Sequence, residues 1–183
     1  MQQLEAKQAC YEGLFTLPEY LIGEIINGRM LTHRRSPRHA YVQSALGPSL
    51  VQTSRHGIGA NWKVLDLPEI HLASDILVPD IAGWRRERMP TLPATAWFEQ
   101  PPDWVCEILS ASTAKVDRAE KLPIYARHGV KHAWLVDPDL RTLEVFENRA
   151  GQWLLLTVLE NAAAVSQPPF DATSFSLDAL WAD

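Results

Sequence analysis

The sequence predicts a strand-rich α/β chain of the α+β kind, a β-sheet flanked by α-helices. Three observations carry this. Short apolar runs bounded by turn residues outnumber helical stretches. Two longer stretches carry helix start and stop signals. The two kinds of element alternate, with no repeat and no low-complexity segment.

Residues 1–12 read as a flexible N-terminal extension. LIGEIINGRML (21–31) alternates around Asn27-Gly28, the strongest short-range hairpin signal. Ser36-Pro37 opens a helix, with Ser36 as cap and Pro37 in the first turn. That helix is expected over 38–51, with a break at Gly47-Pro48. Strands are expected over 63–67, 70–73, 76–84 and 104–109, and 86–102 reads as a proline-rich loop. A helix over 115–128 stops at Gly129, and Pro123 predicts a kink or a late start. Strands over 133–136 and 142–147 are joined by Asp137-Pro138-Asp139, a turn sequence. A strand over 153–160 and a short helix over 177–181 complete the chain.

The 183 residues fit one domain spanning 1–183. Hydrophobic residues make up 46% and charged residues 21%, ordinary for a soluble globular protein. No apolar run is long enough for a membrane span, and the N-terminus has no signal-peptide pattern. The two cysteines, Cys10 and Cys106, do not make a disulfide scaffold. A cytoplasmic location is expected. The net charge of −5 argues against coating nucleic acid through bulk charge, but leaves local clusters open.

The chemistry begins with VCEILSAST (105–113), where Glu107 interrupts an apolar strand. A carboxylate there is costly unless paired, neutralised or metal-bound. A solvent-facing edge position is the simpler alternative. ILVPDIAGW (76–84) repeats the oddity with Asp80 after a proline. Neighbouring strands would bring both acids to one end of the sheet. Hard divalent cations such as Mg²⁺ favour such oxygens, and the Ile108 carbonyl could add another. A metal held there can polarise a phosphodiester and activate water. Glu24, in the first hairpin strand, faces either solvent, the same metal or a second one. Asp117 and Lys121 are spaced i, i+4 and share a helix face. They form either an exposed ion pair or a cation aimed at the carboxylates, where Lys121 would orient water or stabilise phosphate charge.

GEIINGRM (23–30), SPRHA (36–40), VPDIAGWRRERMP (78–90), PPDWVCEILSAST (101–113), DRAEKLPIYARHGVKHAWLVDP (117–138) and TLEVFE (142–147) together resemble the Uma-type restriction endonuclease family, within the PD-(D/E)XK nuclease superfamily. The likeness begins near residue 12. It implies a restriction-endonuclease-like core, a mixed central β-sheet flanked by α-helices, with a divalent-metal site at one edge. Asp80 matches the aspartate of the PD element and Glu107 the acid of the next strand. The superfamily places a lysine two residues after that acid, where this chain has Leu109. The resemblance is to a variant in which the lysine has moved to the following helix, at Lys121. Glu24 matches the family's N-terminal acid. The implied activity is metal-dependent endodeoxyribonuclease action with Mg²⁺ or Mn²⁺ on DNA, or on RNA, by a homodimer. Asp80, Glu107, Lys121 and Glu24 are the catalytic candidates, and Asp117 would orient Lys121. The alternative is an inactive module binding nucleic acid or protein on the same fold.

Basic residues cluster at HRRSPRH (33–39) and WRRER (84–88). They are either a solvated surface or phosphate contacts, with Arg34, Arg35, Arg38, His39, Arg85 and Arg86 as candidates. His39 reads first as a helix-surface residue. His128 and His132 straddle Gly129 and do not form a zinc site. Ser110, Ser112 and Thr113 lack a nucleophile's motif and read as capping or turn residues. Tyr125 and Trp134 read as core. Trp84, Trp97 and Trp104 are read as either packing or base-stacking residues.

Overall fold

A computed structural model describes residues 10–54, 61–172 and 174–181. The first strands, β1 (Ile22–Ile26) and β2 (Arg29–His33), form the expected hairpin. Asn27 and Gly28 have φ of 51° and 74°, the pair of positive angles that a two-residue turn between twisted strands requires. The extension expected over 1–12 falls partly outside the described residues. Tyr11 and Glu12 belong instead to a short helix, α1 (Tyr11–Leu14).

Helix α2 (Pro37–Ser54) starts as expected, with the His39 N–H donating to Ser36 Oγ at 3.2 Å. It does not break at Gly47-Pro48. Val42, Leu46 and Leu50 bury one face in the core, and that burial outweighs the hydrogen bond lost at Pro48.

The expected strand 76–84 is two strands. β4 (Ile70–Leu72) and β5 (Asp75–Leu77) join the hairpin in a four-stranded sheet, ordered β2-β1-β5-β4. β6 (Ile81–Arg85) belongs to a six-stranded sheet with β3 (Trp62–Asp66). Pro79 has no N–H to give a ladder, and the Val78 N–H is turned to the Glu24 carboxylate. Val78-Pro79-Asp80 is therefore where the chain crosses from one sheet to the other.

The six-stranded sheet continues through β7 (Trp104–Ile108), β8 (His132–Asp137), β9 (Thr142–Arg149) and β10 (Gln152–Glu160), in the order β10-β9-β8-β7-β6-β3. β7 runs parallel to β8 and antiparallel to β6, so the sheet is mixed. Trp104, Cys106 and Ile108 face one core cluster with α2, and Val105 faces a second that includes Leu109, Leu122 and Leu135. By alternation Glu107 falls on the second face.

Between β7 and β8 lies a helical run: α3 (Ala114–Val116), a π-turn (Asp117–Lys121) and α4 (Leu122–Arg127). The irregularity expected from Pro123 is this π-turn, one turn earlier. A proline ring clashes with the carbonyl four residues back, and a widened turn relieves it. Gly129, at φ 81°, ends the run as expected. The chain finishes with a two-stranded ribbon, β11 (Ala164–Val165) and β12 (Phe175–Ser176), and a 3₁₀ turn at Leu177–Leu180. The ribbon, like α1, is too short for periodicity to reveal. Among the described residues no helix is long and apolar enough to cross a membrane.

Candidate active site

Four carboxylates and one ammonium converge where the two sheets meet. Glu24 comes from β1, Asp80 from the crossing segment, Glu107 from β7, and Asp117 and Lys121 from the π-turn. All five are buried. Lys121 Nζ lies 2.9 Å from Glu24 Oε1 and 2.9 Å from Glu107 Oε1. It is 3.8 Å from Asp117 Oδ1 and 3.5 Å from the Val78 carbonyl. The relocated lysine expected from the sequence thus points at the strand acid, and the solvent-exposed readings of Glu24, Glu107 and the Asp117–Lys121 pair do not hold.

Each acid has further partners. Tyr125, one helical turn beyond Lys121, donates its hydroxyl to Glu107 Oε1 at 2.7 Å. Glu24 Oε1 accepts the Val78 N–H at 2.7 Å, and His33 Nε2 lies 3.5 Å from Glu24 Oε2. Asp80 Oδ2 accepts the Ile108 N–H at 2.7 Å, and Asp80 Oδ1 meets His39 Nε2 at 2.6 Å. The register pairs Ile81 with Cys106, so Asp80 and Glu107 occupy facing positions at the ends of neighbouring strands. Gln43 Nε2 donates to the Asp80 carbonyl at 3.0 Å and Arg35 Nη1 to Gln43 Oε1 at 2.9 Å, tying α2 to the crossing segment.

Burial pushes the Glu107 carboxyl well above its ordinary value, opposed mainly by the Lys121 charge. Burial also pushes Asp117 up, again opposed by Lys121. In Glu24 burial acts in the same direction. Lys121, the His33 contact and the Val78 N–H outweigh it and hold the group at about 2. Burial alone would lower Lys121, but Glu107 and Glu24 reverse this and raise it well above its ordinary value.

His39 is not a helix-surface residue. It is buried on α2 and bonded to Asp80. Its hydrogen bond crosses 41 positions of chain, and no local pattern signals it. Tyr125 is core, as its apolar surroundings suggested, yet its hydroxyl serves Glu107. Arg34, Arg35 and Arg38 are exposed at the start of α2, and Arg34 stacks over Tyr20. Arg85 and Arg86 lie away from the acids. Arg85 is at the other end of β6, roughly 16 Å along the strand from Asp80, and its guanidinium covers Trp62. Ile108, whose carbonyl was the expected metal ligand, meets Asp80 through its N–H. Ser112, Thr113, Thr32, His33, Glu24 and Asp117 help to line a cleft of about 120 Å³ that opens beside the cluster.

The oxygen donors are of the kind a hard cation takes. Their arrangement does not fit one. Among the described residues no three His, Cys, Asp or Glu side chains are placed to hold a metal ion. The Lys121 ammonium lies between Glu24 and Glu107, and both Asp80 oxygens are engaged.

The fold is thus a mixed sheet with flanking helices, and it carries an acid cluster centred on a lysine. The chain belongs to the Uma2 family, described as "Putative restriction endonuclease", whose model matches residues 7–179. Its fold is similar to the crystal structure of a "putative nuclease belonging to DUF820" from Anabaena variabilis ATCC 29413. The TM-score is 0.76 at 22% identity, covering 93% of this chain and 96% of that one. No curated relative matches the chain.

Proposed function

We propose that the chain is a single-domain endodeoxyribonuclease that hydrolyses phosphodiester bonds, with RNA as the alternative substrate. The observation that carries this is Lys121, held 2.9 Å from both Glu24 and Glu107 although it comes from a different element. A buried ammonium at fixed position is preorganised to stabilise negative charge developing on a phosphate oxygen. Asp117 restrains it from the same turn. Asp80 and Glu107 supply the carboxylates beside it, and His39, Ile108 and Tyr125 hold their orientation. Arg34, Arg35 and Arg38, exposed around the start of α2, are suited to phosphates of the flanking strand. Mg²⁺ or Mn²⁺ is the cofactor expected of such an enzyme and would activate a water molecule. It does not fit the acids as they are paired here.

The complete pairing of the acids favours a second reading, a module that binds nucleic acid without cutting it. Plasmid cleavage in Mg²⁺, in Mn²⁺ and in chelator separates the two. The enzyme reading expects metal-dependent cleavage, lost in Asp80→Asn and in Glu107→Gln with circular dichroism unchanged. Wild-type binding of DNA without cleavage in any metal would favour the module.

A homodimer suits an enzyme that cuts both strands. β10 is an edge strand, and Leu154, Leu155, Leu156 and Val158 on it are exposed. Such an edge is a template for pairing with a second copy. Light scattering at micromolar concentration is expected to give twice the chain mass. A monomer mass would count against the dimer.

A further inference from the structure

We propose that Tyr20, backed by Arg34, is a stacking platform for a nucleobase held out of its helical stack beside the phosphate to be cut, in a single strand or drawn from a duplex. The inference rests on the nucleic-acid reading of the site and adds the form in which the strand must arrive.

The platform stands at the open end of the β1–β2 hairpin. Ile22 pairs with His33 there. Tyr20 lies just before β1 and Arg34 directly follows β2, so the two side by side flank that end. The Arg34 guanidinium carbon is 3.9 Å from the centre of the Tyr20 ring. A cation over a ring face is attracted by the ring's quadrupole and restrains the ring. Tyr20 is nevertheless 62% exposed. With one face under the guanidinium, an exposure of that extent leaves the opposite face to solvent. A ring fixed from one side and open on the other has little freedom left to lose when a flat partner settles on it.

This place adjoins the acids. His33, the residue before Arg34, lines the cleft beside Glu24 and Asp117. Arg35, the residue after it, donates to Gln43, which donates to the Asp80 carbonyl. The surrounding surface mixes cations with rings. Arg34, Arg35 and Arg38 are exposed, and Tyr41, which shares a face of α2 with Arg38, is 46% exposed. A polyanion carrying flat bases complements both features.

Depth supplies the reason for unstacking. Lys121 is buried, and the cleft that opens beside it has a volume of only about 120 Å³. A duplex is too stiff and too wide to follow a phosphate into such a space. A single strand can bend its backbone inward, and the bend frees a neighbouring base from its stack. Bases inside an intact duplex present only their edges, so the Tyr20 ring has no face to meet there.

The test is binding by fluorescence anisotropy on the full chain, in chelator. The probes are a short thymidine strand, an abasic strand of the same length and a blunt duplex. Wild type should bind the thymidine strand more tightly than the duplex. Tyr20→Ala should weaken the thymidine strand about tenfold or more, the worth of one base stacked on an aromatic side chain. It should leave the abasic strand unchanged, since that strand keeps the phosphates and lacks the bases. Tyr20→Phe retains the ring and should bind like wild type. Equal binding of the thymidine strand by wild type and Tyr20→Ala overturns the proposal. An equal loss on the thymidine and abasic strands overturns it too, because the ring then acts on the backbone contacts and not on a base. Should Tyr20→Ala lower the Tm, Tyr20→Leu keeps apolar bulk without an aromatic face and is judged by the same comparison. Wild type that binds no probe refutes the nucleic-acid reading and the platform with it. Wild type that binds the duplex as tightly as the thymidine strand, with Tyr20→Ala unaffected on both, refutes the platform and leaves the nucleic-acid reading standing.

Discussion

Two places in this protein share one glutamate between two donors, one of them a tyrosine, and they differ in depth. In the interior, Glu107 receives Lys121 and the Tyr125 hydroxyl. At the outer strand of the four-stranded sheet, Glu69 receives the Tyr11 hydroxyl at 2.6 Å and meets His71 Nε2 at 2.7 Å. Trp97 stacks on His71 there, with ring centroids 5.1 Å apart. The Glu69 side chain is 30% exposed and that of Glu107 is 3% exposed. The tyrosines record the difference. Tyr11 is pushed up to about 12, mainly by its hydrogen bond to Glu69. Tyr125 is pushed well above its ordinary value, mainly by burial, with Glu107 next. The same bond pattern fastens the α1 segment at the surface and holds a charged site in the interior. Solvent is the variable, because unpaired charge is cheap at the first place and costly at the second.

The largest expected effect comes from removing a charge partner in the interior. Glu24→Gln should cost about 3 kcal/mol near neutral pH, since it takes one acid from a buried ammonium. That cost should depend on pH. Glu24 ordinarily titrates at 4.5 and is held at about 2 in the fold. A lowered carboxyl stabilises the fold above its ordinary value, and the contribution is lost as pH falls through the window from 4.5 to about 2. Urea unfolding of wild type and Glu24→Gln should therefore show a stability gap that narrows across that window. A gap that stays constant down to about pH 2 would mean that Glu24 is not held ionised by Lys121.

Smaller effects come from the two tyrosines, compared as a pair. Tyr125→Phe leaves a buried carboxylate oxygen short of a donor and should cost about 1–3 kcal/mol. Tyr11→Phe leaves an oxygen that water can reach and should stay within about 1 kcal/mol. Equal losses in the two variants would break the argument that depth separates the two clusters.

Much of the fold was legible because its signals are local. Asn27-Gly28 specified the hairpin, Ser36-Pro37 the start of α2 and Gly129 the end of α4, each through backbone angles or capping within a few residues. Acids inside apolar strands marked Asp80 and Glu107, and the Asp117–Lys121 spacing marked the cation. Pro48 and Pro79 show where local reading stops. Each is a breaker in isolation. At Pro48 the helix persists because Leu46 and Leu50 are buried on its inner face. At Pro79 the strand breaks and the chain changes sheets, because the Val78 N–H is taken by Glu24.

The sequence by itself determined most of the elements, the membership of the family and which charged residues lie in apolar surroundings. The tertiary structure decided which of them meet. Glu24 and Lys121 are brought to 2.9 Å from opposite ends of the site, and His39 to 2.6 Å from Asp80. The physical reason is that periodicity and capping act over a few residues. The value of a charge depends on what surrounds it once the sheets close, and it is closure that gives Lys121 the place between the acids where a metal was expected.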